Sequence, residues 1–369
     1  MKKDFVLFMQ CKSNRVKENA LSLLKFFTMK SIRFLLISFL VFLSSHVFGT
    51  NYYVSTTGSD ANTGTSLAAP FLTLAYAVSK PIVGGDTIFV RSGTYTTSAT
   101  IKITKPGTAL NPIVLTVYRP DLVAVDARPV FDFSIAFATA GSAERGIELT
   151  GANYWVIYGI IIKGAGDNGM NVKSSIHTRI EFCSFTRNRD TGLQLGGGSA
   201  YIDIINCDSY ENADMGAGTT SNGGNADGFA PKLDIGDSIR LRGCRAWMNS
   251  DDGYDGYLRP SNGVSWTLED CWAFRNGYYW LNGTTNSSMN GNGIKVAGSD
   301  AKDLAHNCTL IRCLSFLNKA KGFDQNNNAG SMWLYNNTAY QNGGLDYGFN
   351  SSGVAYVSGA VTVVVNSTC

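Results

Sequence analysis

Four carboxylates crowd one stretch of this chain. Residues 225–255 read NADGFAPKLDIGDSIRLRGCRAWMNSDDGYD, and Asp227, Asp251, Asp252 and Asp255 stand beside two glycine-aromatic pairs, Gly228-Phe229 and Gly253-Tyr254. If those glycines hold the same place in successive turns of a coil, Asp227 and Asp252 lie one above the other, with Asp251 and Asp255 flanking them. Neighbouring strands are about 4.8 Å apart, so carboxylates stacked in this way repel and raise one another's pKa unless a cation holds them. A donor set made of hard oxygens points to Ca²⁺ rather than a softer metal. The competing readings are an ion with a purely structural role and ordinary turn residues, since Asp before Gly is a common turn signal.

The elements that must position these acids are legible as a repeat. Gly146, Gly169, Gly192, Gly228, Gly253, Gly293, Gly322 and Gly348 align, and the residue after each is large and apolar, from Ile147 and Met170 to Phe323 and Phe349. The second residue after each is nearly always polar, which is the in-out alternation of a strand. A second strand pattern centres on Cys183, Cys207, Cys244, Cys271, Cys313 and the equivalent Asn337. Three residues before each stands Ile or Leu, and five residues after each stands Asn188, Asn212, Asn249, Asn276, Asn318 or Asn342. Asn tolerates the left-handed backbone of a tight turn, and stacked amides can bond from turn to turn, so these six form an expected asparagine ladder at a corner. The glycine spacings are 23, 23, 36, 25, 40, 29 and 26 residues. A turn of this length repeated in register is a parallel β-helix. The two largest insertions, Asp214–Asn225 and Gly277–Asn292, bracket the acidic stretch, and loops grafted beside a rigid stack are where binding is usually built.

Outside the repeat the sequence divides into a leader and a cap. Residues 1–49 carry eight Lys or Arg against Asp4 and Glu18, and Lys30 and Arg33 precede the apolar run Phe34–Leu43 and the small residue Gly49. That is the layout of a secretory signal peptide, expected at about residues 29–49 with Met29 as an alternative start. The run is too short for the roughly 20 residues of a membrane span, so no stable insertion is expected after processing. The rest of the chain is slightly acidic, which removes the basic field a nucleic-acid partner would need. Residues 50–145 are expected to hold an N-terminal cap and the first turns, with a short amphipathic helix over Pro70–Ser79 burying Phe71, Leu74, Ala75 and Val78. Residues 146–369 are the repeats, and VTVVVNSTC at the end reads as a truncated turn. The recurring cysteines are expected as small buried hydrophobes rather than disulfides.

NADGFA, then NSDDGYD, then GNGIK, on a repeat of this kind, resembles the family nine polysaccharide lyases. The resemblance covers Asn51 to about Gly348 and implies an all-β, right-handed parallel β-helix that cleaves pectate. It implies further that Asp227, Asp251, Asp252 and Asp255 bind a catalytic Ca²⁺ and that Lys295 is the base. The chain departs from that pattern in Ile294, Val296 and Ala297 around the lysine, and in a long loop ahead of it.

The spacing agrees with this placement, because Lys295 sits at the same offset in its turn as Asp255 does in the turn before. Its side chain therefore leaves on the same outward face, about one strand spacing away. On an acidic sugar such as galacturonate, a metal on the C6 carboxylate and a neutral amine near C5 would support β-elimination. Lys232, Arg259, Lys302 and Lys321 are candidate contacts for other uronate carboxylates, and His306 reads as a packing residue. The expected partner is polygalacturonate, acted on by a monomer outside the cell. A hydrolase on the same fold, which needs a carboxylic acid paired with a base or nucleophile, and a non-catalytic carbohydrate-binding solenoid are the alternatives.

Overall fold

The computed structural model describes residues 49–123, 126–134, 144–215 and 222–349. The expected leader, apart from Gly49, and the terminal VTVVVNSTC lie outside them. The described residues form three parallel sheets, one of ten strands and two of nine, each gaining one strand from every turn of the coil. The first sheet begins at Asn51–Val54, the second at Thr94–Thr96 and the third at Ile101–Ile103. Every pairing joins strands of successive turns, as in Met170–Lys173 between Ile147–Thr150 and Leu193–Gly196. The result is a parallel β-helix, and within the described residues no helix is long and apolar enough to cross a membrane.

The columns read from the repeat face inward and fill the core. Ile147, Met170, Leu193, Phe229, Tyr254, Ile294 and Phe323 pair in one line along the third sheet, each of them buried. In the eighth repeat the alignment is off by two residues. Phe323 pairs with Tyr347, not Phe349, and Gly348 lies beside Asp324 on the outward column. A slip of two keeps every side chain on its proper face, so alternation alone cannot detect it.

What the sequence suggested as one strand around each cysteine is two, on different sheets. Arg179–Glu181 belongs to the first sheet and Ser184–Thr186 to the second, with a sharp corner between them. The residue before each of the five recurring cysteines is left-handed, as at Phe182 (φ 56°), Asn206 (φ 50°) and Gly243 (φ 64°). All six described cysteines are buried free thiols.

The asparagine ladder is present and bonds from turn to turn as expected, but the left-handed backbone is not the asparagine's own. The left-handed residue at that corner is the one before each Asn, such as Arg187, Glu211 and Met248. The asparagines themselves point inward, and each Nδ2 donates to Oδ1 of the next: Asn188 to Asn212 at 2.9 Å, Asn212 to Asn249 at 2.8 Å, Asn249 to Asn276 at 3.0 Å, Asn276 to Asn318 at 2.9 Å and Asn318 to Asn342 at 2.9 Å. This ladder also explains the glycine column. A Cβ on Gly228 would lie 2.5 Å from the carbonyl oxygen of Gly253 and 2.9 Å from Asn249 Nδ2. Close approach, not an unusual φ, selects glycine there.

At the N-terminal end the short helix α1 runs over Leu74–Ser79, capped by Thr73, whose side chain accepts from the Tyr76 backbone N–H at 3.1 Å. It buries Leu74, Ala77 and Val78, while Phe71 lies ahead of it in a bridge with Val54 and Ala75 faces out. Regular turns start well before the legible repeat, since Ile101–Ile103 already pairs with Ile147–Leu149.

Asn249 takes hydrogen bonds from the backbone N–H and Nδ2 of Asn212 and donates to Ser209 and Asn276. Replacing it with Ala leaves several buried partners unsatisfied. Asn249→Ala is expected to lose about 2–4 kcal/mol, read as a lower urea midpoint, whereas Lys302→Ala on the exposed loop should leave the midpoint unchanged.

Candidate active site on the third sheet

The third sheet carries the acids, and its strand register stacks them. Phe229 pairs with Tyr254, which sets Asp227 beneath Asp252, and Asp255 pairs directly with Lys295. Asp227, Asp252 and Asp255 each offer a carboxylate oxygen within 4.8 Å of the others. All four aspartates are buried, at 0% exposure for Asp227 and Asp252, 3% for Asp251 and 4% for Asp255. Asp251 stands beside that trio but turns toward the 277–292 loop, where its Oδ1 accepts the Asn290 backbone N–H at 2.7 Å.

One oxygen of each acid is fixed by the backbone. Asp227 Oδ1 accepts from the N–H of Asp252 at 3.1 Å, Asp252 Oδ1 from Asn292 at 2.7 Å, and Asp255 Oδ1 from Tyr257 at 3.0 Å. Asn292 adds its side-chain amide to Asp252 Oδ1 at 2.9 Å. Two lysines face the remaining charge. Lys232 Nζ lies 2.5 Å from Asp227 Oδ2 and 3.4 Å from Asp255 Oδ2. Lys295 Nζ lies 3.2 Å from Asp252 Oδ2 and 3.3 Å from Asp255 Oδ1. Asp252 Oδ2 is buried without a hydrogen bond, so this ion pair with Lys295 is its only compensation among the described residues.

The titration of the cluster follows from this packing. Burial pushes Asp227 up to about 8, with Asp255 and Asp252 adding to the rise and Lys232 and Lys295 opposing it. Burial likewise raises Asp251 and Asp252. For Asp255 burial acts in the same direction, but Lys295 and Lys232 outweigh it and hold this acid below the ordinary range. Burial alone would lower Lys295, yet Asp255, Asp252, Asp227 and Asp251 hold it well above its usual value.

This donor set fits a hard divalent cation. It consists of carboxylate oxygens, each with one oxygen anchored, and it includes an orphaned oxygen aimed into the cluster. Several neighbours were invisible to the sequence reading. Asn292 and Thr191 occupy the position before the glycine that Asp227 and Asp252 hold, and Thr191 Oγ1 lies 3.4 Å from Asp227 Oδ2. Comparing residues before each glycine, as well as after it, would have found them. Tyr257 places its ring 5.4 Å from Lys295 Nζ and donates its hydroxyl to Asp300 at 2.6 Å.

Of the other candidate cations, Lys232 is drawn into the cluster. Arg259 forms a two-point pair with Asp300 at 2.6 and 2.8 Å on the surface, Lys302 is exposed on the loop between them and His306, and Lys321 pairs with Asp324 at 2.8 Å. His306 is a packing residue as expected. It is fully buried, stacks on Trp266 and holds the Gly256 carbonyl through Nδ1 at 2.8 Å.

Comparison with known proteins bears on the class. A family model described as Pel9A-like, right handed beta helix region, matches residues 52–359. Pectate lyase L of Dickeya chrysanthemi is 40% identical over 309 residues, which are 82% of this chain and 67% of that relative. Pectate lyase PEL9 of Emericella nidulans is 34% identical over 331 residues, 85% of this chain and 78% of that one. The crystal structure of pectate lyase Pel9A is 34% identical and superposes with a TM-score of 0.71, covering 84% of this chain and 78% of its own. Fold, acid cluster and relatives together define a polysaccharide lyase on a right-handed parallel β-helix. More closely, the chain belongs to the Pel9A-like family.

His306 offers a pH test of the packing behind Asp255. Burial lowers its pKa to about 4 from 6.5, so the unfolded chain binds the extra proton first. Its contribution is complete above pH 6.5 and is lost as pH falls toward 4, a difference of about 3 kcal/mol. Urea midpoints of the wild type should fall over that window more steeply than those of His306→Leu; parallel curves would rule the assignment out.

Proposed function

We propose that the protein is an exported, Ca²⁺-dependent lyase that cleaves polygalacturonate by β-elimination. The observation that carries this reading is the pairing of Asp255 with Lys295, which brings an amine to within 3.3 Å of the acid cluster on an outward column. The named activities of the relatives, both pectate lyases, support the choice of substrate.

Asp227, Asp251, Asp252 and Asp255 are the residues that would hold the ion. Bound there, Ca²⁺ supplies Lewis-acid polarisation of the substrate's C6 carboxylate, which makes the C5 proton more acidic. Lys295 takes that proton on Nζ. The electron pair left at C5 forms the double bond to C4 as the bond from C4 to the glycosidic oxygen breaks, and the departing oxygen collects a proton from water. Only a neutral amine can begin this step. Because the surrounding carboxylates hold Lys295 in its charged form, its reactive fraction grows with pH, and activity is expected to rise toward the alkaline side. Arg259, on the exposed loop after Asp255, and Lys302, on the exposed loop after Lys295, are the candidates to meet carboxylates of neighbouring sugar units.

The test is to incubate the purified protein with polygalacturonate, with and without chelator, and follow the ultraviolet absorbance of unsaturated ends. Absorbance should grow with Ca²⁺ and stop with chelator, and Lys295→Ala should lower the rate by about a hundred- to ten-thousandfold. New reducing ends without absorbance in the presence of chelator would instead identify a hydrolase, and near-normal turnover by Lys295→Ala would remove that residue from the chemistry.

A further inference from the structure

We propose that Lys232 is a built-in occupant of the cation site, holding Asp227 and Asp255 together while no divalent ion is bound and leaving them when one binds. The inference rests on the cation reading above and adds to it a residue that sets the site's affinity.

Lys232 is not a surface cation that happens to lie near acids. It follows the strand Phe229–Pro231, and its side chain is only 12% exposed. Its ammonium group faces Asp227 Oδ2 at 2.5 Å and Asp255 Oδ2 at 3.4 Å. Those are two of the oxygens left over once the backbone has claimed Asp227 Oδ1 and Asp255 Oδ1. A calcium ion needs oxygens at about 2.3–2.6 Å with their lone pairs directed at it. An ammonium group on the same lone pairs excludes that arrangement, so one of the two lysines has to withdraw.

The backbone indicates which. Lys295 lies within the strand Ile294–Lys295, paired on one side with Asp255 and on the other with Asp324. Lys232 lies just past the strand Phe229–Pro231, in the break between it and the bridge from the left-handed Leu233 (φ 63°) to Leu258. Its four-carbon stem can swing outward without disturbing the register. Position adds to this, because Lys232 spans the Oδ2 atoms of two of the three acids whose oxygens converge. The buried acids are thus never left without a counter-ion, and the ion must compete with a tethered one.

Calcium titration by calorimetry and thermal unfolding in chelator or saturating Ca²⁺ test this, using the wild type, Lys232→Met, Lys232→Arg and the surface control Lys302→Met. Lys232→Met should bind Ca²⁺ at least about tenfold more tightly, melt below the wild type in chelator and regain that difference in Ca²⁺. Lys232→Arg, which keeps the charge, should bind no more tightly than the wild type, and Lys302→Met should match it throughout. Unchanged or weaker binding by Lys232→Met would overturn the proposal. So would tighter binding with no loss of stability in chelator, because Lys232 would then act only as a distant charge. If neither the wild type nor Lys232→Met takes up Ca²⁺, the cation reading itself fails; uptake by the variant alone is the strongest form of the expected competition.

Discussion

The constraint on which everything else depends is the parallel register between turns. Each residue lies about 4.8 Å above its counterpart in the turn below, so a column of like side chains must either satisfy itself or conflict. Asparagine satisfies itself, because one amide supplies both donor and acceptor, and the ladder from Asn188 to Asn342 is the result. The cysteine column fits because a thiol is small, apolar and able to donate to a carbonyl, as Cys207 does to Ile205 at 3.3 Å. Aspartate cannot do either. An ionised carboxylate only accepts, so the buried Asp227 stacked against Asp252 is pushed up rather than bonded to it. The geometry that builds the structural spine therefore builds a site of unresolved charge on another column.

How that conflict is contained shows in the division of labour between oxygens. Burying a carboxylate is tolerable when it is paired and hydrogen-bonded. Here Asp227, Asp251 and Asp252 each give Oδ1 to a backbone N–H of the following turn, and Asp255 gives its own to Tyr257 two residues on. The acids are thereby tied to the frame, and their remaining charge is directed at Lys232 and Lys295. Asp255, which both lysines reach, is held ionised, while Asp227 is pushed up. The cluster is consequently graded in acidity although its members are chemically identical.

Much of this was readable in the sequence because solenoid columns are periodic in sequence as well as in space. The apolar line through Ile147 and Phe229, the six asparagines and the alignment of Asp255 with Lys295 all follow from spacing. Three features did not. The pairing of Tyr347 with Phe323 was displaced by two residues in the reading, since such a shift preserves the face each side chain occupies. The corner at Phe182 was missed because its left-handed position accepts Phe, Asn, Gly and Asp in turn, so no single residue type marks it. The early turns around Ile101 were expected only in outline, as first turns within residues 50–145, because the asparagine and cysteine columns do not extend to them and leave short apolar runs without punctuation. At the site itself, the four acids and Lys295 were legible by type, whereas the inward course of Lys232 depends on a bend after Pro231 that spacing does not encode.

The third sheet is also where regular pairing is thinnest. Its strands span four residues at Met170–Lys173 and Leu193–Gly196 but only two at Tyr254–Asp255 and Ile294–Lys295. Shorter strands free backbone N–H groups from the sheet, and these are the groups the aspartates recruit: Asn290, Asn292 and Tyr257 all donate to carboxylates rather than to carbonyls. The 277–292 loop supplies two of the three and also touches the other insertion, since Asn286 Nδ2 donates to the Asn222 carbonyl at 3.0 Å. The insertions therefore do more than border a binding groove. They exchange ladder hydrogen bonds for bonds to acids, so the loss of regular structure at this point and the gain of a fixed carboxylate geometry are one event, and the long turns occur where the coil has to accommodate charge.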